Sequence, residues 1–412
     1  MKSQKILLSL ITVLTISLVI VLSSYYLENT KTEKKEEVRE IVTIMAIYDN
    51  EQNNKLLEKM LSEYSAAEGN PIVEISFVSQ ANFQKELCIR KDQNKLPDLI
   101  IMENVMTSAL QSMGILSETT DYMTSEKIAE YTQNAYNSTL VNGVSYAVPF
   151  DSDPLVLFYN QDYFDSYGEK IPEKLSDFYK IKRLGTYHLG LAVKDKEDIS
   201  SIFYYLVVSS GGSIRNLQSE HCTELYHMLE LLRENEILAP DTVNWNQNDL
   251  MESFANGYVK VAIARLSALS VLETKDTKFT VRIAEIPVEQ RKVYLLEGQN
   301  IGITTTADDK STMKVMQYLL RKENIQRYCE QTNHLSVRWD LNVNPAESYG
   351  LTQDYITKER EQSLLKSTYS TWFLISDAIS EDMTAFLSER TMPYPEFQDK
   401  IQEDVRNAIL ER

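Results

Sequence analysis

The sequence predicts an α/β fold built on a mostly parallel, doubly wound sheet. Three observations predict it. Short runs rich in β-branched residues alternate with segments whose apolar residues recur every three or four positions. Strong turn signals separate the segments, in the order β-α-β-α-β that forces crossover connections. The composition is that of a globular chain: 412 residues, 43% hydrophobic and 25% charged.

Taken in order, Ile41 to Ile47 (IVTIMAI) is too short for a helix and rich in branched residues, so it reads as a buried strand. Asn50 is placed to cap a helix in which Leu56, Leu57, Met60, Leu61 and Tyr64 share one face. Gly69-Asn70-Pro71 ends that helix. Ile72 to Val78 alternates as a strand, Phe83 and Leu87 mark a helix, and Leu99 to Met102 is a third strand. Later, Asp198 to Val208, Glu220 to Glu236 and Asn248 to Ala255 read as helices. Tyr258 to Ala264, Val281 to Ile286 and Ile301 to Thr306 read as strands. The last third is mostly helical, with helices at Met313 to Leu320, Trp372 to Ser388 and Phe397 to Leu410.

Charge and the chain start bound the function. Lys plus Arg number 42 against 60 Asp plus Glu, a net charge of −18. Such a chain repels phosphate backbones and has no basic stripe, so no nucleic-acid partner is expected. Lys2 and Lys5 precede Ile6 to Leu22, which is apolar on every face, with no charge before Glu28. This is the pattern of an export signal, cleaved or retained as a membrane anchor. Residues 28–40 are a mixed charge run that reads as a solvated tether. Cys88, Cys222 and Cys329 are far apart and form no metal-ligand spacing, so no metal or cofactor is expected.

Six motifs in order carry a resemblance. They are Leu96 to Ile100 (LPDLI); Gly143 to Phe150 (GVSYAVPF) followed by Leu155 to Phe164 (LVLFYNQDYF); Ile171-Pro172 with Leu175 to Phe178; Met251 to Gly257; Gly298 to Ile303; and Met316 to Gln326. In this order they resemble the family 1 extracellular solute-binding proteins, the maltose-binding-protein-like receptors of ABC importers. Three departures stand out. Residues 1–40 contain no Cys for lipidation, the Trp of the family's "T-W" motif is missing, and Ser336 stands where the family has Pro.

The resemblance implies a two-lobed periplasmic-binding-protein type II fold with interleaved lobes and a hinge. Residues 1–27 would be the signal peptide or anchor. Residues 41–150 and 292–334 would form lobe 1, and 151–291 and 335–412 lobe 2. It further implies an extracytoplasmic receptor for a small solute, a sugar or oligosaccharide, that delivers it to ABC permease subunits and touches the membrane through an uncleaved N-terminus. The alternative is a tethered sensing or interaction protein on the same fold without transport. Enzyme motifs such as GxSxG, HExxH and GxxxxGK[ST] are absent from the sequence; paired acids in so acidic a chain leave a secreted hydrolase as a third reading, which the motif order opposes, so no catalysis is expected.

Candidate ligand contacts follow from strand ends, because open α/β sheets bind ligands beyond the carboxyl ends of their strands. Tyr48 and Asp49 follow the first strand, and Glu103 and Asn104 the third. Asp151 lies just past the expected crossover, Arg265 ends YVKVAIA, and Gln299 and Asn300 follow Gly298. Trp372 resembles the aromatic position that stacks on sugar in maltose-binding relatives; Trp245 and Trp339, in polar loops, rank below it. A lone basic residue at the cleft of so acidic a chain points to a ligand with an acidic group. The competing reading pairs Arg265 with an acid such as Asp151.

Overall fold

Strand β1, Ile41–Ile47, is buried on both faces from Ile44 onward and pairs in parallel with β2, Ile72–Val78, and β3, Leu99–Glu103. The computed structural model describes residues 14–25, 39–180, 189–307, 309–366, 369–388 and 390–411. The remainder of the expected leader and tether lies outside the described residues. Residues 14–25 are helical by themselves, and among the described residues no helix is long and apolar enough to cross a membrane.

Helix α1, Glu51–Ala66, connects β1 to β2. Its start is set by Asn50, whose side-chain oxygen accepts the Asn53 N–H at 2.9 Å, and its buried face carries Leu57, Met60, Leu61 and Tyr64. It stops three residues before Gly69. Helix α2, Gln80–Asp92, returns to β3 through buried Phe83 and Leu87. The sheet is completed by β4, Val148–Pro149, and later in the chain by Gln299–Ile303.

The second sheet contains β5, Leu155–Asn160; β6, Leu189–Leu191; β7, Val261–Arg265; and β8, Val281–Ala284. With Gln299–Ile303 numbered β9, the sheet orders are β2-β1-β3-β9-β4 and β8-β5-β7-β6. Neither sheet is uniformly parallel. Strand β9 runs antiparallel to β3 and β4, and β5 antiparallel to β7 and β8. The physical reason is the interleaving: β9 re-enters the first sheet from the second half of the chain, so no crossover helix sets its direction.

Helices cover the second sheet. Helix α3, Lys196–Ser209, is almost wholly buried, and Gln247–Ala255, α4, is closed by an Asn246–Asp249 capping box. Trp372 opens α5, Trp372–Ser388, and is fully buried. Its Nε1 donates to the Glu197 carboxylate of α3 at 2.9 and 3.1 Å. Phe386 of α5 stacks on Phe397 of α6, Tyr394–Leu410, at 4.3 Å between ring centres.

Three segments run side by side between the sheets. Ser152 and Leu335 exchange backbone hydrogen bonds of 2.9 and 2.7 Å, and Asp153 donates its N–H to the Glu297 carbonyl at 3.2 Å. Gly298 sits at φ +116°, and a Cβ there would lie 2.6 Å from the Asp151 carbonyl. Only glycine permits so close an approach. Past this seam Val337, Leu341 and Val343 pack in the core of the first sheet.

Two outcomes are expected. Trp372→Ala should destabilise the protein by about 3–5 kcal/mol in urea unfolding, since it opens a cavity and strips a buried carboxylate of its donor. Burial also pushes the carboxyls of Asp151, Asp198 and Glu359 up to about 7. Unfolded carboxyls titrate near pH 4, so the folded chain binds more protons between these values. Their stabilisation is complete below about pH 4 and is lost as pH rises through 7. The urea midpoint should therefore be higher at pH 5.5 than at pH 8. Glu359, which accepts the Ser152 hydroxyl at 2.7 Å, lies at the seam, and Glu359→Gln should shrink that difference. An unchanged slope would refute its part in it.

Candidate functional site

The strand ends of the two sheets face one another across a cavity of about 190 Å³. Its wall includes Tyr48 and Asp49 beyond β1, Glu103 at the end of β3, Arg265 at the end of β7, and Gln299 at the start of β9. These five sequence-predicted residues are brought together. The cavity also takes Gln80, Asp153, Asp195, Asp198, Asn246, Gln247, Ser267 and His334, none of which was among the predicted contacts.

Arg265 organises the wall. It is 5% exposed, and its Nη1 meets Glu103 Oε1 at 2.8 Å while its Nε meets Asp198 Oδ1 at 3.2 Å. Glu297 Oε2 lies 3.9 Å from Nη2 and is shared with Lys366 at 2.8 Å. Burial alone would disfavour the guanidinium charge, but Glu103, Asp198 and Glu297 outweigh it and hold the pKa well above its ordinary value. Gln247 supports the group from both sides: its Oε1 accepts the Arg265 N–H at 2.9 Å, and its Nε2 donates to Asp198 at 2.8 Å. Arg265 thus has acidic partners within the protein, though not Asp151, and a pointer to an acidic ligand no longer follows from it.

A second cluster lies beside the seam. Asp153 accepts the N–H and hydroxyl of Ser267 at 2.8 and 2.7 Å, and its Oδ2 is 3.6 Å from His334 Nε2. His334 Nδ1 is 2.9 Å from the Thr332 hydroxyl. Burial would lower the His334 pKa, but Asp151, Asp153 and Asp49 surround it and together hold it above the usual value. Asp49 is tied by Asn53 at 2.6 Å, and burial raises its carboxyl. Burial likewise raises Glu103.

Four predicted contacts sit elsewhere. Asn104 turns away from the cavity and donates to the Leu296 carbonyl at 3.0 Å. Asn300 follows Gln299 on a strand, so its side chain points to the opposite face, where Thr107 and Ser138 hold it at 3.1 Å. Asp151 is buried behind the wall, accepting the Gln299 N–H at 2.9 Å. Trp372 is in the core, so stacking on a ligand is replaced by its bond to Glu197. Neither Trp245 nor Trp339 lines the cavity.

Asp195 and Asp198 follow β6, a strand of three residues (LGL) whose signal is too short to mark a strand end. Asn246 and Gln247 lie just before the helix read from Asn248, and only the fold brings that start to the cavity. His334 was visible in the motif His334-Leu335-Ser336-Val337-Arg338, beside the third crossing. The exposed His221 and His227 lie elsewhere. Among the described residues no cluster of His, Cys, Asp and Glu is arranged to hold a metal ion, and the three cysteines are free thiols.

The comparisons agree with this architecture. The fold matches a maltose-bound protein of T. maritima with a TM-score of 0.79 at 16% identity, covering 89% of this chain and 99% of that one. A putative binding protein of Brucella abortus is 22% identical over 259 residues, 58% of this chain. This chain spans only 63% of the length of that relative. The multiple sugar-binding protein of Streptococcus mutans is 22% identical over 347 residues, 79% of each chain. Residues 59–347 match the family model for bacterial extracellular solute-binding proteins. With that match spanning most of the chain, on a two-lobed α/β fold with a polar cavity between its sheets, the protein belongs to the bacterial extracellular solute-binding protein family.

Proposed function

We propose that this protein is a non-catalytic receptor that captures a small solute of the sugar class between its lobes and passes it to the permease of an ABC importer. The observation that carries this is a cavity whose wall comes from both sheets: Glu103 and Gln299 from the first, and Arg265 from the second, with Ser267 in the turn just beyond it. A ligand there touches both lobes, so its binding energy favours the closed form, the hinge mechanism of periplasmic binding proteins. The polar side chains supply donors and acceptors for hydroxyls. A site that pairs buried polar groups with hydroxyls rejects analogues lacking them. The name of the Streptococcus mutans relative and the maltose in the T. maritima structure support a carbohydrate. The cavity is smaller than the roughly 300–1,000 Å³ of drug-sized sites, which favours a monosaccharide over a long chain. The apolar N-terminal segment would deliver the chain to the outer face of the membrane, and would hold it there if uncleaved.

The test is thermal unfolding of the full-length protein in detergent across mono- and oligosaccharides. A ligand at a hundred times its Kd adds about 2.7 kcal/mol, so a bound sugar should raise the melting point by several degrees. A rise with an amino acid, peptide or phosphate ester, and with no sugar, would rule out the carbohydrate class.

A further inference from the structure

We infer that the two lobes of this protein close on contacts of their own, so that a closed form is populated before any solute arrives, with the Glu103–Arg265 bond as its latch. In a hinged receptor the closed form is favoured only by interactions that the open form lacks. A solute bridging the cleft can supply them, but here side chains of the two lobes meet directly. Arg265 Nη1 donates to Glu103 Oε1 at 2.8 Å, from the end of β7 in the second sheet to the end of β3 in the first. Gln80, which opens α2, donates to the same Glu103 oxygen at 3.2 Å, while Asp198 and Gln247 hold Arg265 from its own side. Each end of the latch is therefore positioned within its own lobe, as a bond between two rigid bodies requires.

Two further sets of contacts cross between the lobes and do not depend on this bond. Helix α2 packs against α3, and residues 104–106, just after β3, pack against α5. Phe83, Val105 and Met106 from the first lobe share one buried apolar cluster with Phe203, Trp372 and Phe373 from the second. Burial of such surface is favourable and non-directional, so it draws the lobes together while the Glu103–Arg265 bond fixes their register. Beside His334 of the cavity wall, the Asn333 amide donates to Ser270 Oγ at 3.0 Å and to Glu273 at 3.1 Å. Asn333 follows the helix Lys322–Thr332, which packs on α1, whereas Ser270 lies in Leu269–Leu272, packed in the core of the second sheet. A buried pair gives back much of its attraction as desolvation, so the latch acts chiefly through what its loss would leave. Without Glu103, closure buries a guanidinium N–H stripped of its acceptor, and opening hydrates it.

Double electron–electron resonance on the full-length protein in detergent tests this. Nitroxides go at exposed Asn82, near Gln80 of the cavity wall, and at exposed Lys194, next to Asp195 of that wall. A ketone-bearing amino acid carries them, which leaves the three native thiols untouched. Unfolding in urea and refolding first strips any co-purified solute. With nothing added, one short distance should outweigh any longer one about tenfold, or about 1.4 kcal/mol in favour of closure. Glu103→Ala should move at least half of the molecules to a second, longer distance. Glu103→Gln keeps an acceptor oxygen and should move fewer, and it keeps the test open should the alanine variant not fold. Asn333→Gly suits the left-handed backbone there, at φ 59°, and should shift the population the same way. A single long distance in the stripped wild type would overturn the inference, since the lobes would then need a solute to close. An unchanged short distance in the folded Glu103 variants would overturn the latch. No solute enters these measurements, so neither result bears on the sugar class, which the thermal screen decides.

Discussion

A guanidinium as deeply buried as that of Arg265, a residue 5% exposed, is costly to keep charged, and the arrangement around it makes that charge tolerable. Its partners come from different parts of the fold: Glu103 from the end of β3, Asp198 from α3, Glu297 from the segment returning to the first sheet. Breaking such a buried pair by removing one partner costs about 3–5 kcal/mol. Because Glu103 and Arg265 end strands of different sheets, their 2.8 Å contact also sets how near the two lobes lie. Any opening of the cleft must part them and return both charges to water.

The contacts around this pair extend it in both directions. Lys366 shares Glu297 with Arg265 and also donates to Ser201 at 2.6 Å, which ties the network to α3. Glu197 on the same helix receives the Trp372 indole, and so the C-terminal helices are anchored to the helix that presents Asp198. On the other side, Asp153, Ser267 and His334 join the seam of crossing segments to the cavity wall. Position of the cleft side chains and packing of the core therefore depend on shared residues.

Much of the scaffold was legible in the residues. The runs at Ile41 and Ile72 form strands over the expected spans, Asn50 caps its helix as its side chain allows, and Trp372 to Ser388 is a helix throughout. Hydrophobic period and capping are local properties, which explains why they can be read. The boundaries that moved did so at ends set by pairing: the strand expected from Tyr258 begins at Val261, where β7 meets β5 and β6. Strand β6 escaped notice because three residues carry no period. Tyr48, Asp49, Glu103, Arg265 and Gln299 line the cavity because strand ends are local and the strand-end rule is general. Asn104, Asp151 and Asn300 were one residue out of phase or one layer too deep, and Trp372 was a core residue that carried the resemblance of a contact.

The sequence by itself determined the alternation of strands and helices, the order of motifs that marks the family, and an acidic chain with an apolar start. Those follow from periodicity, turn chemistry and composition, each settled within a short stretch. Only the tertiary structure decided the direction of β9, the pairing of Arg265 with Glu103 and Asp198, and the burial of Trp372 against Glu197. Each of these joins residues far apart in the chain. Which charge neutralises which depends on distances in space that no local pattern encodes.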